Sequence, residues 1–182
     1  NPHASDFPQL LAADGDDICF KCHQQETYLK KNVHGIIEDK GCRACHEPHY
    51  SEQPNLLTMA PEKLCLSCHD GKDSDFRKSH GGYPVTTAAC TTCHNPHSSE
   101  NEMLMIGRIH NPVEEAECDS CHNEATGKEP FGLNTPAEDL CLTCHESDTM
   151  QGDADVQHEP FKLGECLDCH NPHTSENRTL LN

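Results

Sequence analysis

The stretch CTTCHNPHSSENEML (90–104) decides how the whole chain is read. Its first five residues, C-x-x-C-H, recur at CFKCH (19–23), CRACH (42–46), CLSCH (65–69), CDSCH (118–122), CLTCH (141–145) and CLDCH (166–170). All 14 cysteines of the 182-residue chain fall in these seven copies. On a helical turn, positions i, i+3 and i+4 share one face, so two thiols and an imidazole can meet one flat macrocycle. C-x-x-C-H is the attachment signature of a c-type haem: both thiols add to porphyrin vinyl groups and the adjacent histidine ligates iron. A zinc ribbon needs C-x-x-C pairs in twos and has no use for a histidine after each. Disulfide scaffolds space their cysteines irregularly.

The motifs therefore predict seven c-type haems. The thioether positions are Cys19, Cys22, Cys42, Cys45, Cys65, Cys68, Cys90, Cys93, Cys118, Cys121, Cys141, Cys144, Cys166 and Cys169. The proximal iron ligands are His23, His46, His69, His94, His122, His145 and His170.

Composition agrees. Aromatics make up 4 % and Trp is absent, so the polypeptide alone cannot bury enough apolar area to offset its ordering entropy. Seven apolar plates, distributed along the whole chain, would serve as the core. The net charge of −18 argues against nucleic acid and anionic membrane surfaces as partners, and for cationic patches, bound cations or mineral surfaces. An acidic surface can equally serve solubility alone. No apolar run reaches 18 residues, so no transmembrane segment is expected. No basic-then-apolar leader opens the chain, which reads as an exported form with its signal peptide removed.

The organising unit is a repeat. A full unit runs C-x-x-C-H, a lone His, then C-x-x-C-H-x-P-H and a segment ending in Leu-Leu. Units span 19–57, 65–105 and 141–181, with a half-unit at 110–122 and a handover segment at 1–18 that copies the Leu-Leu segment. Helix starts are expected at Thr135-Pro136, with Thr135 as cap, at Asn111-Pro112, and at Pro61 without a good cap. Gly, Pro, Asn and Ser elsewhere predict mostly irregular coil with short α-helices and little or no sheet, a haem-cored fold forming one domain over 1–182.

Eight histidines lie outside the motifs. Seven are candidate distal ligands: His34, His49, His80, His97, His110, His158 and His173. His49 follows His46 by three residues and cannot easily cross to the far face of the same haem, so it is assigned to the haem of His23. The same step pairs His97 with His69 and His173 with His145. The lone histidines then fall to second haems: His34 with His46, His80 with His94, His158 with His170 and His110 with His122. His3 is left over as a candidate ligand across a subunit boundary. Met59, Met103, Met105 and Met150 could ligate iron, but Met103 and Met105 sit beside leucines and read as packing residues.

The pattern C-x-x-C-H…H…C-x-x-C-H-x-P-H…L-L resembles the multihaem c-type cytochromes with doubled CXXCH motifs, and covers essentially the whole chain. That resemblance implies haem attachment after export, a periplasmic or extracellular location, and electron transfer to other redox proteins or extracellular acceptors. Some such cytochromes form extracellular filaments, or nanowires. The handover segment at both ends of the chain reads either as a relic of duplication or as the docking element of a head-to-tail homopolymer, a contact that does not close on itself. The alternative is a soluble periplasmic shuttle or redox subunit. A multihaem reductase would need one iron with an open face, whereas every motif here ends in His and distal His are in surplus, so no enzyme activity is expected.

Intact mass spectrometry of the purified protein should exceed the polypeptide mass by seven haems. Chain made without haem attachment should give the far-UV circular dichroism of an unfolded polypeptide.

Overall fold

A computed structural model describes residues 3–151 and 155–182; Asn1 and Pro2 of the handover segment, and 152–154 in the third full unit, lie outside the described residues. The chain divides into two compact units, Asn1–Cys68 with Cys93–Ile106, and His69–Thr92 with Gly107–Asn182.

The first unit holds helices α1 (Gln25–Tyr28), α2 (Gly35–Lys40) and α3 (Pro61–Leu66), with two-residue strands β1 (Asn32–Val33) and β2 (Ser98–Ser99) paired antiparallel. The second holds α4 (Ser74–Ser79), α5 (Asn111–Glu114), α6 (Ala137–Leu140), α7 (Ser147–Gln151) and α8 (Glu159–Lys162), with β3 (Arg108–Ile109) paired to β4 (Thr174–Ser175). Coil therefore dominates, as the composition predicts. No helix among the described residues is long and apolar enough to cross a membrane.

Two helix starts differ from expectation. Asn111 lies inside α5, and His110 stands at the cap position with extended dihedrals (φ −69°, ψ 137°). The reason is a strand hydrogen bond: His110 N–H donates to the His173 carbonyl at 2.9 Å, holding His110 extended. Thr135 does not cap α6 either. Pro136 keeps an extended ψ of 141° and takes the cap position without a side-chain bond. Pro61 opens α3 without a side-chain cap, as expected.

Four tight turns share one design. Gln9-Leu10, Asn55-Leu56, Met103-Leu104 and Thr179-Leu180 each place two successive non-glycine residues at positive φ. Each such residue costs about 1–2 kcal/mol relative to ordinary backbone. A serine six residues before the end of each turn offsets the strain. Ser51 and Ser99 donate from Oγ to the carbonyls of Leu57 and Met105 at 2.5 Å, and Ser5 and Ser175 do so to Leu11 and Leu181. The same oxygens accept from the N–H two residues on, in Phe7, Gln53, Asn101 and Asn177. The 1–11 segment that copies the Leu-Leu repeat thus also copies its turn. Met103, expected to pack, sits on the turn with 80 % of its surface exposed.

The polypeptide has almost no apolar interior. Its buried residues are Ala13, Tyr83, Ser98, Ser99, Thr174 and Ser175 among the described residues. Its accessible surface is 13376 Å², against about 8,800 Å² for a compact chain of this mass. Surface of that extent is what flat covalent cofactors would cover.

The two sheets repeat one register. Asn32 faces Ser99 and Val33 faces Ser98; Arg108 faces Ser175 and Ile109 faces Thr174. Gly107, at φ +47°, feeds β3, and a Cβ there would collide with the Ser175 carbonyl. Replacing Gly107 with Ala should lower stability by about 1–3 kcal/mol, from positive-φ strain plus a clash with backbone that cannot swing away. Denaturant melts of the haem-loaded protein would measure it.

Candidate haem-iron sites

Each site starts from the backbone of its motif. In 19–23, 42–46, 118–122, 141–145 and 166–170 the histidine N–H donates to the carbonyl of the first cysteine, at 2.8–3.1 Å. Cys42–Ala44, Cys90–Thr92, Cys118–Ser120, Cys141–Thr143 and Cys166–Asp168 are 3₁₀ turns, and Cys65 rides the end of α3. This winding stacks the histidine above the first cysteine, as c-type attachment requires.

The second histidine of each motif pair is then oriented by a carbonyl nine residues downstream. His46, His94, His122 and His170 donate from Nδ1 to the carbonyls of Asn55 (2.9 Å), Met103 (2.8 Å), Phe131 (3.0 Å) and Thr179 (2.8 Å). A carbonyl only accepts, so Nδ1 carries the proton and Nε2 keeps a lone pair for a metal. In three of the four, the acceptor is the first positive-φ residue of the turn, so the strain turns its carbonyl toward the imidazole. The fourth, after His122, has none of its residues at positive φ, yet makes the same bond and the same bridge from the histidine to Leu133. The half-unit is therefore built like the others beyond residue 122, although it lacks the P-H histidine.

Distal candidates show the same tautomer. His34 and His110 donate from Nδ1 to the carbonyls of Pro96 and Pro172, both at 3.0 Å, and His80 to that of Phe76 at 2.7 Å. His97 and His173 are positioned through Asn95 and Asn171. Each Asn Oδ1 accepts from the histidine N–H at 3.0 Å and from the next N–H at 3.4 Å. Burial, then the neighbouring charges of His46 and His34, holds His97 below the ordinary histidine pKa. Burial, then His122 and His110, does the same for His173. Both therefore favour the neutral form that can ligate.

Among the described residues, three histidine pairs have facing, near-parallel rings. The rings of His46 and His97 are 5.9 Å apart with 15° between planes; His122 and His173 are 5.9 Å and 23°; His110 and His145 are 6.0 Å and 16°. At the roughly 2 Å metal–nitrogen distance of imidazole ligation, two trans rings have centroids roughly 6 Å apart. The residues present thus fit a haem iron. The spacing argument had set His97 against His69, His173 against His145 and His110 against His122; the rings pair otherwise. The cause is the strand pairing. It lays the P-H segment of one motif pair against the lone-histidine segment of the preceding pair (His34 N–H to His97 carbonyl, 2.9 Å), a contact that sequence distance does not suggest.

Tyr28 was not anticipated. It stands edge-on between His23 (5.7 Å) and His97 (5.0 Å), with Oη 3.4 Å from His23 Nδ1. The four carbonyl acceptors were missed as well, though a Leu or Met eleven residues after each second histidine marks their turns. His3, His49 and His158 are exposed.

The cysteines meet in pairs. Sγ of Cys19 and Cys42 and a carboxylate oxygen of Asp16 lie within 4.8 Å of one another. Asp16 also accepts from Cys42 N–H at 2.9 Å. Burial first, then Asp16 and Cys19, pushes the Cys42 thiol up to about 12. Burial likewise raises Cys141, which meets Cys166, Cys45, which feels Cys68, and Cys121, which feels Cys144. Two donors of the Asp16 cluster are thus attachment thiols, so the cluster belongs to the haem sites.

A model of the doubled CXXCH motif matches residues 1–27, 34–74, 83–108, 110–150 and 158–182. No curated protein matches the chain.

Replacing Asn171 with Ala removes the acceptor that holds His173 and Thr174. It should cost about 1 kcal/mol and broaden the low-spin electron paramagnetic resonance (EPR) signal of one haem as its distal ring loses a fixed orientation.

Proposed function

Since the chain belongs to the doubled-CXXCH family of multihaem c-type cytochromes, we propose that it conducts electrons through seven haems, each held between two histidines, as a subunit of an extracellular filament. Electron transfer by covalently attached c-type haem comes with the family, whose members are typically extracytoplasmic. The seven-haem count rests on the seven motifs, and histidine on both faces rests on the facing ring pairs at 5.9–6.0 Å.

When bound, the haems supply one-electron iron couples. The protein's part is to hold them. Each C-x-x-C pair would tether one haem, and a motif histidine with a second histidine would hold its iron, leaving no place for a substrate. Backbone carbonyls on Nδ1 make the imidazoles stronger donors, which favours ferric iron and low potentials. This reading makes the protein a carrier and not an enzyme.

The filament reading is supported by the repeated strand junction. β1 with β2, and β3 with β4, join a lone-histidine segment to the P-H segment of the following motif pair. Val156-Gln157-His158 and His49-Tyr50-Ser51 are further copies of those two segment types. Val156 is 86 % exposed and Tyr50 70 %, whereas the formed junctions bury Ser98 and Thr174 to 0 % and 2 %. Joining the exposed copies between two molecules would be a heterologous contact, the kind that builds open polymers. The acceptors at the end of such a path would be other redox proteins or external oxidants that tolerate an acidic surface. A soluble shuttle is the alternative.

Electron microscopy of undenatured native protein should show filaments with a regular axial repeat; discrete particles of one chain's mass at all concentrations would favour the shuttle. Carbon monoxide added to the fully reduced protein should leave the Soret band unchanged. A shifted fraction would reveal an open iron and favour a reductase.

A further inference from the structure

We infer that irons are shared between successive motif pairs: His97 ligates the haem tethered at 42–46, His173 the haem at 118–122, and His110 the haem at 141–145. The inference rests on the two-histidine reading above and specifies it. Each iron would then cross-link segments far apart in sequence, and the His46–His97 and His122–His173 links would close loops of equal length.

Four observations carry it. First, the facing rings have the separation and near-parallel planes of two imidazoles on one iron. Second, Nδ1 of His46, His122 and His110 is engaged by a carbonyl acceptor, which leaves Nε2 of each to the metal. Third, the arrangement of His46 with His97 returns further along the chain as His122 with His173, although HEPHYSEQPNLL (46–57) and HNEATGKEPFGL (122–133) share little. The geometry therefore follows from the repeat and not from local sequence. Fourth, the nearest rivals are directed elsewhere. His110 precedes His122 closely in the sequence, yet its N–H is bound to the His173 carbonyl and its ring stands against His145.

One consequence concerns the strand pair. His110 and His173 are joined by a single backbone hydrogen bond of 2.9 Å, while their rings go to different haems. The two-residue sheet β3–β4 is thus a spacer that sets the distance between neighbouring irons. Its buried Thr174 and Ser175 then need no apolar function: they keep this spacer dry and rigid.

The test uses the haem-loaded protein and the near-infrared charge-transfer band that separates bis-histidine from histidine–methionine ligation. His173→Met, His97→Met and His110→Met should each remove about one-seventh of the bis-histidine band and add one histidine–methionine haem of raised potential. The decisive background is Cys118→Ala with Cys121→Ala, which leaves six haems. There His173→Met should change nothing, because its haem is gone, while His110→Met should still convert one. A new methionine-ligated haem from His173→Met in that background would overturn the pairing while leaving two-histidine ligation intact. If the unaltered protein lacks a full bis-histidine band, the underlying reading fails instead. Should the six-haem variant not fold, an experimental structure of the seven-haem protein would decide directly: continuous density from iron to His97, His173 and His110 supports the assignment, and any other ligand there refutes it.

Discussion

The hydrogen bond from a motif histidine's Nδ1 to a carbonyl nine residues on is the contact around which the fold is arranged. To make it, the chain must reverse within a few residues, and in the three positive-φ copies it accepts two strained residues in succession. Serine side chains then tie those turns at both ends. The reversed turn brings the residue eleven positions on back against the histidine, as His46 with Leu57 and His170 with Leu181. In three of the four copies a P-H segment, carrying His49, His97 or His173, lies between the histidine and the turn. The hairpin after His122, without positive-φ residues, serine or P-H histidine, reaches the same bond. What is retained is the orientation of the ring, and the means of obtaining it vary.

A second level follows from the strands. Two residues per strand is too little to stabilise a sheet by itself. Here the pairing acts as a clamp between histidine-bearing segments, and its burial of Ser98, Ser99, Thr174 and Ser175 reflects close backbone approach, not apolar packing. The energetics of ordering must come from elsewhere, because Tyr83 is the one large buried side chain among the described residues, and its Oη donates to the Asn123 carbonyl at 2.7 Å. Haems tethered at the C-x-x-C-H motifs, with irons shared as proposed, would be that source. The polypeptide behaves as a harness whose shape is set by what it holds.

The proposed pairing would link function and stability in this protein. With the rings paired on iron as proposed, the same histidines would tune iron and close the long loops, so a change at one ligand would alter both a potential and a cross-link. The cysteine contacts reinforce this, since Cys19 with Cys42 and Cys141 with Cys166 bring the tethers of successive motifs together.

The C-x-x-C-H motifs that mark the family, the coil-rich character and the repeat of the Leu-Leu segment were all readable from the sequence, because each is written in residues close along the chain. C-x-x-C-H places its three functional atoms within five residues, and the scarcity of apolar residues rules out an ordinary core. Which histidines face each other was not readable. The spacing argument favoured partners near in sequence, whereas His97 reaches back past two attachment motifs to His46 and His110 forward past one to His145. Those choices depend on two antiparallel residues, Asn32-Val33 or Arg108-Ile109, whose pairing has no local signature. The Asn111 cap failed for the same reason: Asn111 has the chemistry of a cap, but a strand bond at His110 moves the start of the helix. Local chemistry specified the candidate ligands, and only the tertiary structure, through long-range backbone pairing, decided which rings face each other.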